Sequence, residues 1–218
     1  MPRPVLHDYF RSSAAYRVRI ALNLKGIDYT QHAVNLIRDG GEHLSDAYRA
    51  INPQARVPSL ETADGDVLIQ SPAILEWLEE THPTPPLLPA GTMARARIRA
   101  VAAIIACDIH PLNNLGVMGY LKGPLGCTQD AVNAWYAHWV YKGFSAIETL
   151  LRRAETSGPF AFGDLPTLAD VYLVPQVFNA RRFNVPLDAY PRIVAADAAC
   201  ADIPAFAKAH PSRQPDAV

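Results

Sequence analysis

The sequence predicts an α/β domain followed by an all-helical domain, and three observations carry this. At 218 residues the chain can bury two modest cores. The stretch Pro83-Thr84-Pro85-Pro86-Leu87-Leu88-Pro89-Ala90-Gly91 is too rich in proline to be helix and reads as a linker. Before it, short strand-like and helix-like pieces alternate; after it, helical periodicity dominates. The expected division is a first domain over 1–83, a linker over 84–91 and a second domain over 92–218.

In the first domain, Val5 to Tyr9 is a short strand. Ser12-Ser13 offers an N-cap, and a helix follows from about Ala14 to Lys25, with Val18, Ala21 and Leu22 on one face. Gly26 is placed to end it as the C′ residue. Tyr29 to Val34 reads as a second strand, Asp39-Gly40-Gly41 as a loop, and His43 to Ala50 as a short helix. Val57 to Thr62 and Val67 to Gln70 form a hairpin across Ala63-Asp64-Gly65-Asp66. Ser71 at an N-cap and Pro72 at N1 then open a helix to about Thr81. One βαβ unit feeding an antiparallel hairpin is the thioredoxin-like order. Pro58 opens a strand, where a proline needs a reason. Either the bond after Val57 is cis and exposes backbone groups to an extended peptide, or a trans proline starts the strand.

The second domain reads as helices over Thr92 to Ile109, ending at His110-Pro111, and over Ala131 to Glu155. The latter carries Trp135, Trp139, Phe144, Ile147 and Leu151 as a core stripe. Thr167-Leu168-Ala169-Asp170 is a capping-box start, with Asp in place of Glu, to a buried helix over Ala169 to Phe178. A last helix covers Arg192 to His210.

Composition narrows the function. Half the residues are apolar, 19% are charged and the net charge is −1, which argues against nucleic acid as a partner. No apolar run is expected to reach membrane-spanning length, and the start MPRPVLHDYFRSS lacks the apolar stretch of a signal peptide. A cytoplasmic location without a membrane partner is expected. Cys107, Cys127 and Cys200 are scattered, without metal-ligand spacing, and each is expected to be a small buried hydrophobe. A protein of this kind that does thiol chemistry imports the thiol.

Two helix starts are candidate sites. In Arg11-Ser12-Ser13-Ala14-Ala15, a serine hydroxyl sits among orphan N–H groups at the positive end of a helix dipole. Such a place suits a thiolate, or the serine is merely a cap. The absence of CxxC excludes disulfide exchange there. At Gln70-Ser71, a hydroxyl and an N–H can grip a carboxylate, and the Gln70 amide can bind an amino-acid end group. With the Val57-Pro58 edge, these features compose a tripeptide site. Arg17 and Arg19 read as a solvated face or an interhelix ion pair, and Arg181-Arg182 as a dipole-matched helix end.

Several segments resemble the zeta class of glutathione transferases: Phe10-Arg-Ser-Ser-Ala-Ala-Tyr-Arg-Val-Arg-Ile-Ala-Leu22 with Lys25-Gly26-Ile27, Val34 to Gly41, Ile51 to Pro58, Gln70 to Ile74, Thr167 to Asp170, Val174 to Val177, and Arg213-Gln-Pro-Asp216. The stretch Asp108 to Asn114 is similar to that of maleylpyruvate isomerases of the class. The resemblance covers nearly the whole chain. It implies a thioredoxin-like N-terminal domain plus an all-α C-terminal domain, a homodimer, glutathione as cofactor, and cis–trans isomerisation of maleylacetoacetate or maleylpyruvate. It implies that Ser12 hydrogen-bonds the glutathione sulfur, with Ser13 its neighbour in the motif. It further implies that Val57, Gln70 and Ser71 hold the tripeptide, that His110 and Asn114 help complete its site, and that Arg11 and Arg182 hold the substrate carboxylates. The class usually has cysteine where this chain has Ala14. The attacking sulfur belongs to glutathione, so the expected consequence is an altered rate or substrate range. A conjugating transferase or dehalogenase, or a non-catalytic protein that kept the fold, are the alternative readings.

Overall fold

The structure is a computed structural model that describes residues 2–154 and 156–217. The chain forms two compact units, one from residues 2–86 together with 202–217, the other from 87–201.

In the first unit, β1 (Val5–Asp8), α1 (Ser13–Leu24), β2 (Thr30–Ala33), α2 (Asp46–Ile51), β3 (Ser59–Glu61), β4 (Val67–Ile69) and α3 (Ser71–Thr81) follow the expected order. The sheet order is β2-β1-β3-β4: β1 runs parallel to β2, while β3 is antiparallel to both β1 and β4. Alternation along β1 sends neighbouring side chains to opposite faces. Asp8 meets Arg19 of α1, whereas the His7 ring lies 6.0 Å from the Tyr48 ring of α2. Leu6, Val18, Ile20, Leu22, Leu60, Ile74 and Leu75 are fully buried. Each such side chain contributes about 1.5–3 kcal/mol relative to exposure. Gly26 ends α1 at φ 66°, with Ile27 N–H donating to the Leu22 carbonyl at 2.9 Å, the αL stop a glycine supplies without steric cost. The Val57–Pro58 bond is cis.

The C-terminal segment departs from expectation. The helix anticipated over Arg192 to His210 divides into α8 (Pro191–Ala201) and α9 (Pro204–Ala209). Pro204 cannot continue the earlier helix but is accommodated at the start of the next. From residue 202 onward the chain belongs to the first unit, because α1 captures it. Arg19 Nε donates to the Ala209 carbonyl at 3.0 Å and Asn23 Nδ2 to that of Ala205 at 3.0 Å. The expected linker also ends early: Leu87 and Leu88 are buried, and Leu168 N–H donates to the Leu87 carbonyl at 2.8 Å within the second unit.

The second unit contains α4 (Thr92–Ala103), α5 (Leu115–Lys122), α6 (Gln129–Arg153), α7 (Leu168–Arg182) and α8. The expected long first helix is α4 continued by a π-turn over Ile104–Ile109 and a 3-10 turn over His110–Leu112. The unexpected α5 follows at once. Pro111 does not stop the run, since a proline in the first turn gives up only an N–H that would be orphaned anyway. Thr92–Lys122 is therefore a run long and apolar enough to cross a membrane by length and composition, contrary to the expectation that no run reaches that length. In α6 the buried stripe is Val132, Tyr136, Val140, Phe144, Ile147 and Leu151. Trp135 and Trp139, expected in the core, are half-buried. Glu155, the expected end of this helix, lies outside the described residues. The capping box at Thr167 forms, with Asp170 Oδ2 accepting from Thr167 N–H at 2.8 Å.

Candidate functional site

In the first unit the chain turns sharply after β1. Ser12 N–H donates to the Tyr9 carbonyl at 2.9 Å. Ser12 is the N-cap of α1, and its hydroxyl oxygen accepts from Ala15 N–H at 3.2 Å. A hydroxyl has one donor proton as well as its lone pairs, so a capping oxygen can still donate to an anion. Ser13, the first residue of α1, is buried, and Ala14 beside it is 8% exposed. Arg11, half-buried, places its guanidinium over the Phe10 ring at 4.7 Å.

The second helix start differs from its sequence reading. The N-cap of α3 is Gln70, not Ser71, and Gln70 has φ 69°. A left-handed backbone at a residue other than glycine costs about 1–3 kcal/mol and clusters at functional sites. Gln70 Nε2 donates to Gln54 Oε1. Ser71 is buried in the first turn, where orphan N–H groups and the dipole favour an anion. Its hydroxyl accepts from Nη1 of Arg17 at 3.3 Å.

Neither Arg17 nor Arg19 lies on the solvated face expected of them, and Arg19 pairs with a strand rather than another helix. Both are buried. Arg19 Nη1 donates to both carboxylate oxygens of Asp8 at 2.8 and 2.7 Å, and Nη2 to the Phe10 carbonyl at 3.0 Å. Burial pushes the Asp8 carboxyl up against the opposing pull of Arg19. Sequence periodicity missed both arginines because a guanidinium can satisfy its donors inside a core if carbonyls and carboxylates surround it.

Val57 lies in the apolar cluster of Tyr9, Phe10, Val34 and Tyr48. The carbonyl just before it, that of Arg56, is held twice, by the Tyr48 hydroxyl at 2.8 Å and by Asn52 Nδ2 at 2.7 Å. Asn52 Nδ2 also donates to the Ser59 hydroxyl at 3.1 Å, and the Tyr48 and Ser59 hydroxyls share a hydrogen bond of 3.1 Å. Tyr48 and Asn52 thus fix the entry to β3, and sequence reading assigned neither a part.

In the second unit Asn114 is the N-cap of α5. Its Oδ1 accepts from Val117 N–H at 3.0 Å and its Nδ2 donates to the Pro111 carbonyl at 2.7 Å. His110, half-buried, opens the 3-10 turn. That turn is tied to α6 by Trp135 Nε1 on the Leu112 carbonyl at 2.8 Å and Asn113 Nδ2 on the Tyr136 carbonyl at 3.1 Å. Tyr136 stacks on Phe183, ring centroids 3.9 Å apart, and Arg182 stands over the other ring system at 4.6 Å from the Phe183 centroid. The turn thus reaches the Tyr136 backbone, and Arg182 lies on Phe183, which in turn stacks on the Tyr136 ring. Burial pushes the Tyr136 hydroxyl up to about 12, with Arg182 and Gln176 drawing it back. Both arginines at the end of α7 are exposed: Arg181 pairs with Asp197, and Arg182 stacks over Phe183. Of the cysteines, Cys200 is buried as expected and its thiol is pushed up by burial, Cys127 is half-buried, and Cys107 is exposed on the π-turn. Among the described residues no acidic, histidine and cysteine cluster could hold a metal.

The first unit thus holds an anion-tolerant hydroxyl at α1, a second at α3 and a fixed strand entry. Residues 6–86 match the family model for the glutathione S-transferase N-terminal domain, and residues 133–196 match that for the C-terminal domain. A maleylpyruvate isomerase of a Ralstonia species is 54% identical, covering 97% of this chain and 98% of that protein. The maleylacetoacetate isomerase of Pseudomonas aeruginosa is 53% identical, covering 97% of each. A solved holo maleyl pyruvate isomerase, described as a bacterial zeta-class glutathione S-transferase, superposes with a TM-score of 0.95 at 53% identity, covering 98% of this chain and 100% of that one. The chain belongs to the zeta class of the glutathione transferase family. The cofactor of the chain is glutathione. An Anaeromyxobacter dehalogenans maleylacetoacetate isomerase, 44% identical with a TM-score of 0.87 over 99% of this chain and 98% of that one, was solved with the tripeptide in its active site. The groups present suit it: a donor hydroxyl for sulfur at Ser12, and a hydroxyl with orphan N–H groups for a carboxylate at Ser71.

Proposed function

We propose that this chain is a glutathione-dependent isomerase that converts the cis double bond of maleylacetoacetate or maleylpyruvate to trans. The observation that carries the reading is Ser12: an N-cap hydroxyl at the positive end of a 12-residue helix. It stands in a chain 53–54% identical, over nearly its full length, to isomerases of both substrates. Glutathione, when bound, supplies a thiolate that adds reversibly to the cis bond beside a carbonyl and leaves once that bond has rotated. The residues of this chain do the rest. The Ser12 hydroxyl donates to the sulfur and, with the α1 dipole, favours its ionised form. Gln70 and Ser71 hold the glutamyl end, and Val57 offers its backbone to the peptide. Class resemblance assigns His110 and Asn114 a part in glutathione binding as well. Arg11 in the first unit and Arg182 in the second supply guanidinium forks for the two substrate carboxylates. Ser13 orients the loop as the first residue of α1. The reading extends to a cytoplasmic homodimer of aromatic-compound catabolism, with no nucleic-acid or membrane partner.

The test is direct. Purified protein isomerises maleylpyruvate or maleylacetoacetate only when glutathione is present, and glutathione is not consumed. Stoichiometric loss of glutathione would identify a conjugating transferase instead. Ser12→Ala raises the apparent pKa of bound glutathione; an unmoved pKa would remove Ser12 from the mechanism.

A further inference from the structure

The motif Arg213-Gln-Pro-Asp216 has no part in the site as described, yet it reaches the loop that carries Ser12. Asp216 Oδ2 accepts from Phe10 N–H at 3.0 Å, across 206 positions of sequence. The Phe10 carbonyl accepts from Arg19 Nη2 at 3.0 Å, so both polar groups of this one residue are held by charged side chains. Hydrogen bonds to ionised groups are about twice as strong as neutral ones. Arg19 is itself fixed by Asp8 of β1 and by the Ala209 carbonyl. Two residues further on, Ser12 caps α1, its N–H donating to the Tyr9 carbonyl.

The tail that presents Asp216 is anchored independently. Gln214 is buried and its Nε2 donates to the carbonyls of Lys208 at 2.9 Å and His210 at 2.8 Å. Ala217 packs on the cluster of Tyr9, Phe10, Val34, Tyr48 and Val57. A frayed terminus is the default for a chain end unless it is tied down, and here the ties converge on one loop. Arg213, by contrast, is exposed.

We propose that Asp216 is a positioning residue for the isomerisation, clamping Phe10 so that the Ser12 hydroxyl is held at the sulfur of glutathione. This rests on the reading of Ser12 given above. A displacement of about 1 Å in such a group can cost about a hundredfold in rate, so a clamp from the C-terminal segment has kinetic weight.

The test compares Asp216→Asn with Asp216→Ala in the full-length protein. Both remove the charge, but only the first keeps an acceptor for Phe10 N–H, so their difference isolates the clamp from the field of the carboxylate. The bound-thiol pKa is read from ultraviolet thiolate absorbance, and kcat/KM from maleylpyruvate isomerisation. Asp216→Ala is expected to lie about one unit higher in bound-thiol pKa than Asp216→Asn, and about tenfold lower in kcat/KM. In a Ser12→Ala background that difference disappears, because the clamp then has no hydroxyl to place. Asp216→Leu, which keeps the side-chain volume and leaves Ala217 in place but has no acceptor, serves if Asp216→Ala does not fold, and is expected to show the same difference from Asp216→Asn. Equal thiol pKa and kcat/KM in the alanine or leucine form and in Asp216→Asn would overturn the clamp while leaving Ser12 in place. If Ser12→Ala alone leaves the thiol pKa unmoved, the Ser12 reading falls and the clamp with it.

Discussion

Ser12 and Ser71 each stand where a helix begins, but the chain uses them differently. Ser12 caps α1 through its own oxygen, with Ala15 N–H at 3.2 Å. Ser71 does not cap α3. It lies one residue inside, behind a left-handed Gln70, and its hydroxyl is held by the buried Arg17. One serine is thus placed by the backbone that precedes it, the other by a side chain of a different helix. The difference separates two tasks. A hydroxyl set by a tight loop suits a single sulfur atom whose ionisation must be tuned. A hydroxyl backed by a guanidinium suits a permanent carboxylate, which needs attraction more than tuning.

The largest expected effect is at Ser12. Ser12→Ala lowers kcat by about a hundredfold, the scale for loss of one preorganised donor to developing or resident charge, and leaves the KM for glutathione nearly unchanged. Stopped-flow and steady-state kinetics check it; a loss confined to KM would erase the contrast with Ser71. Next comes Arg17. Arg17→Met weakens glutathione binding about tenfold or more, the worth of a hydrogen bond assisted by charge, with kcat at saturation largely retained. Calorimetric titration checks this, and an analogue of glutathione lacking the glutamyl α-carboxylate sharpens it, because its affinity does not fall.

Gln70→Gly separates strain from binding. The glycine adopts φ 69° without penalty, so denaturant unfolding gains about 1 kcal/mol while glutathione affinity drops as the amide is lost. A variant that loses both would show the backbone there to be unstrained. The smallest effect is on the opposite face of the sheet. Burial, with help from His32 and against Glu61, lowers the pKa of His7. The unfolded chain therefore takes up the proton first. Stability is fully present above about pH 6.5, the ordinary histidine value, and declines as pH falls from there toward the lower folded value. Thermal melts between pH 7.5 and 5 show that decline, and His7→Asn flattens it without changing the thiol pKa set at Ser12.

How much of this was legible can be argued residue by residue. Gly26, the Thr167–Asp170 box and the order of strands and helices in the first unit are local matters. A glycine at a helix end, a serine or threonine at its start and a period of two or 3.6 constrain the backbone without help from afar. The same locality misled at Gln70-Ser71, where Ser-Pro reads as cap and N1 but the left-handed residue stands one place earlier. It also misled at Trp135 and Trp139, whose helical spacing with Phe144 suggested core although the buried stripe runs through Tyr136. Tyr48 and Asn52 carried no local signal, since their work is on a carbonyl a few residues away across a turn.

The sequence by itself determined the class of the protein, the fold of each unit and the identity of the hydroxyls at the two helix starts. These follow from short-range pattern and from motifs that span the chain. Only the tertiary structure decided that Arg17 and Arg19 are interior residues, that the final segment joins the first unit, and that Asp216 reaches Phe10. The physical reason is that a charged group's cost of burial depends on its partners. Those partners, at separations from 9 to 206 positions, meet it only when the chain has folded.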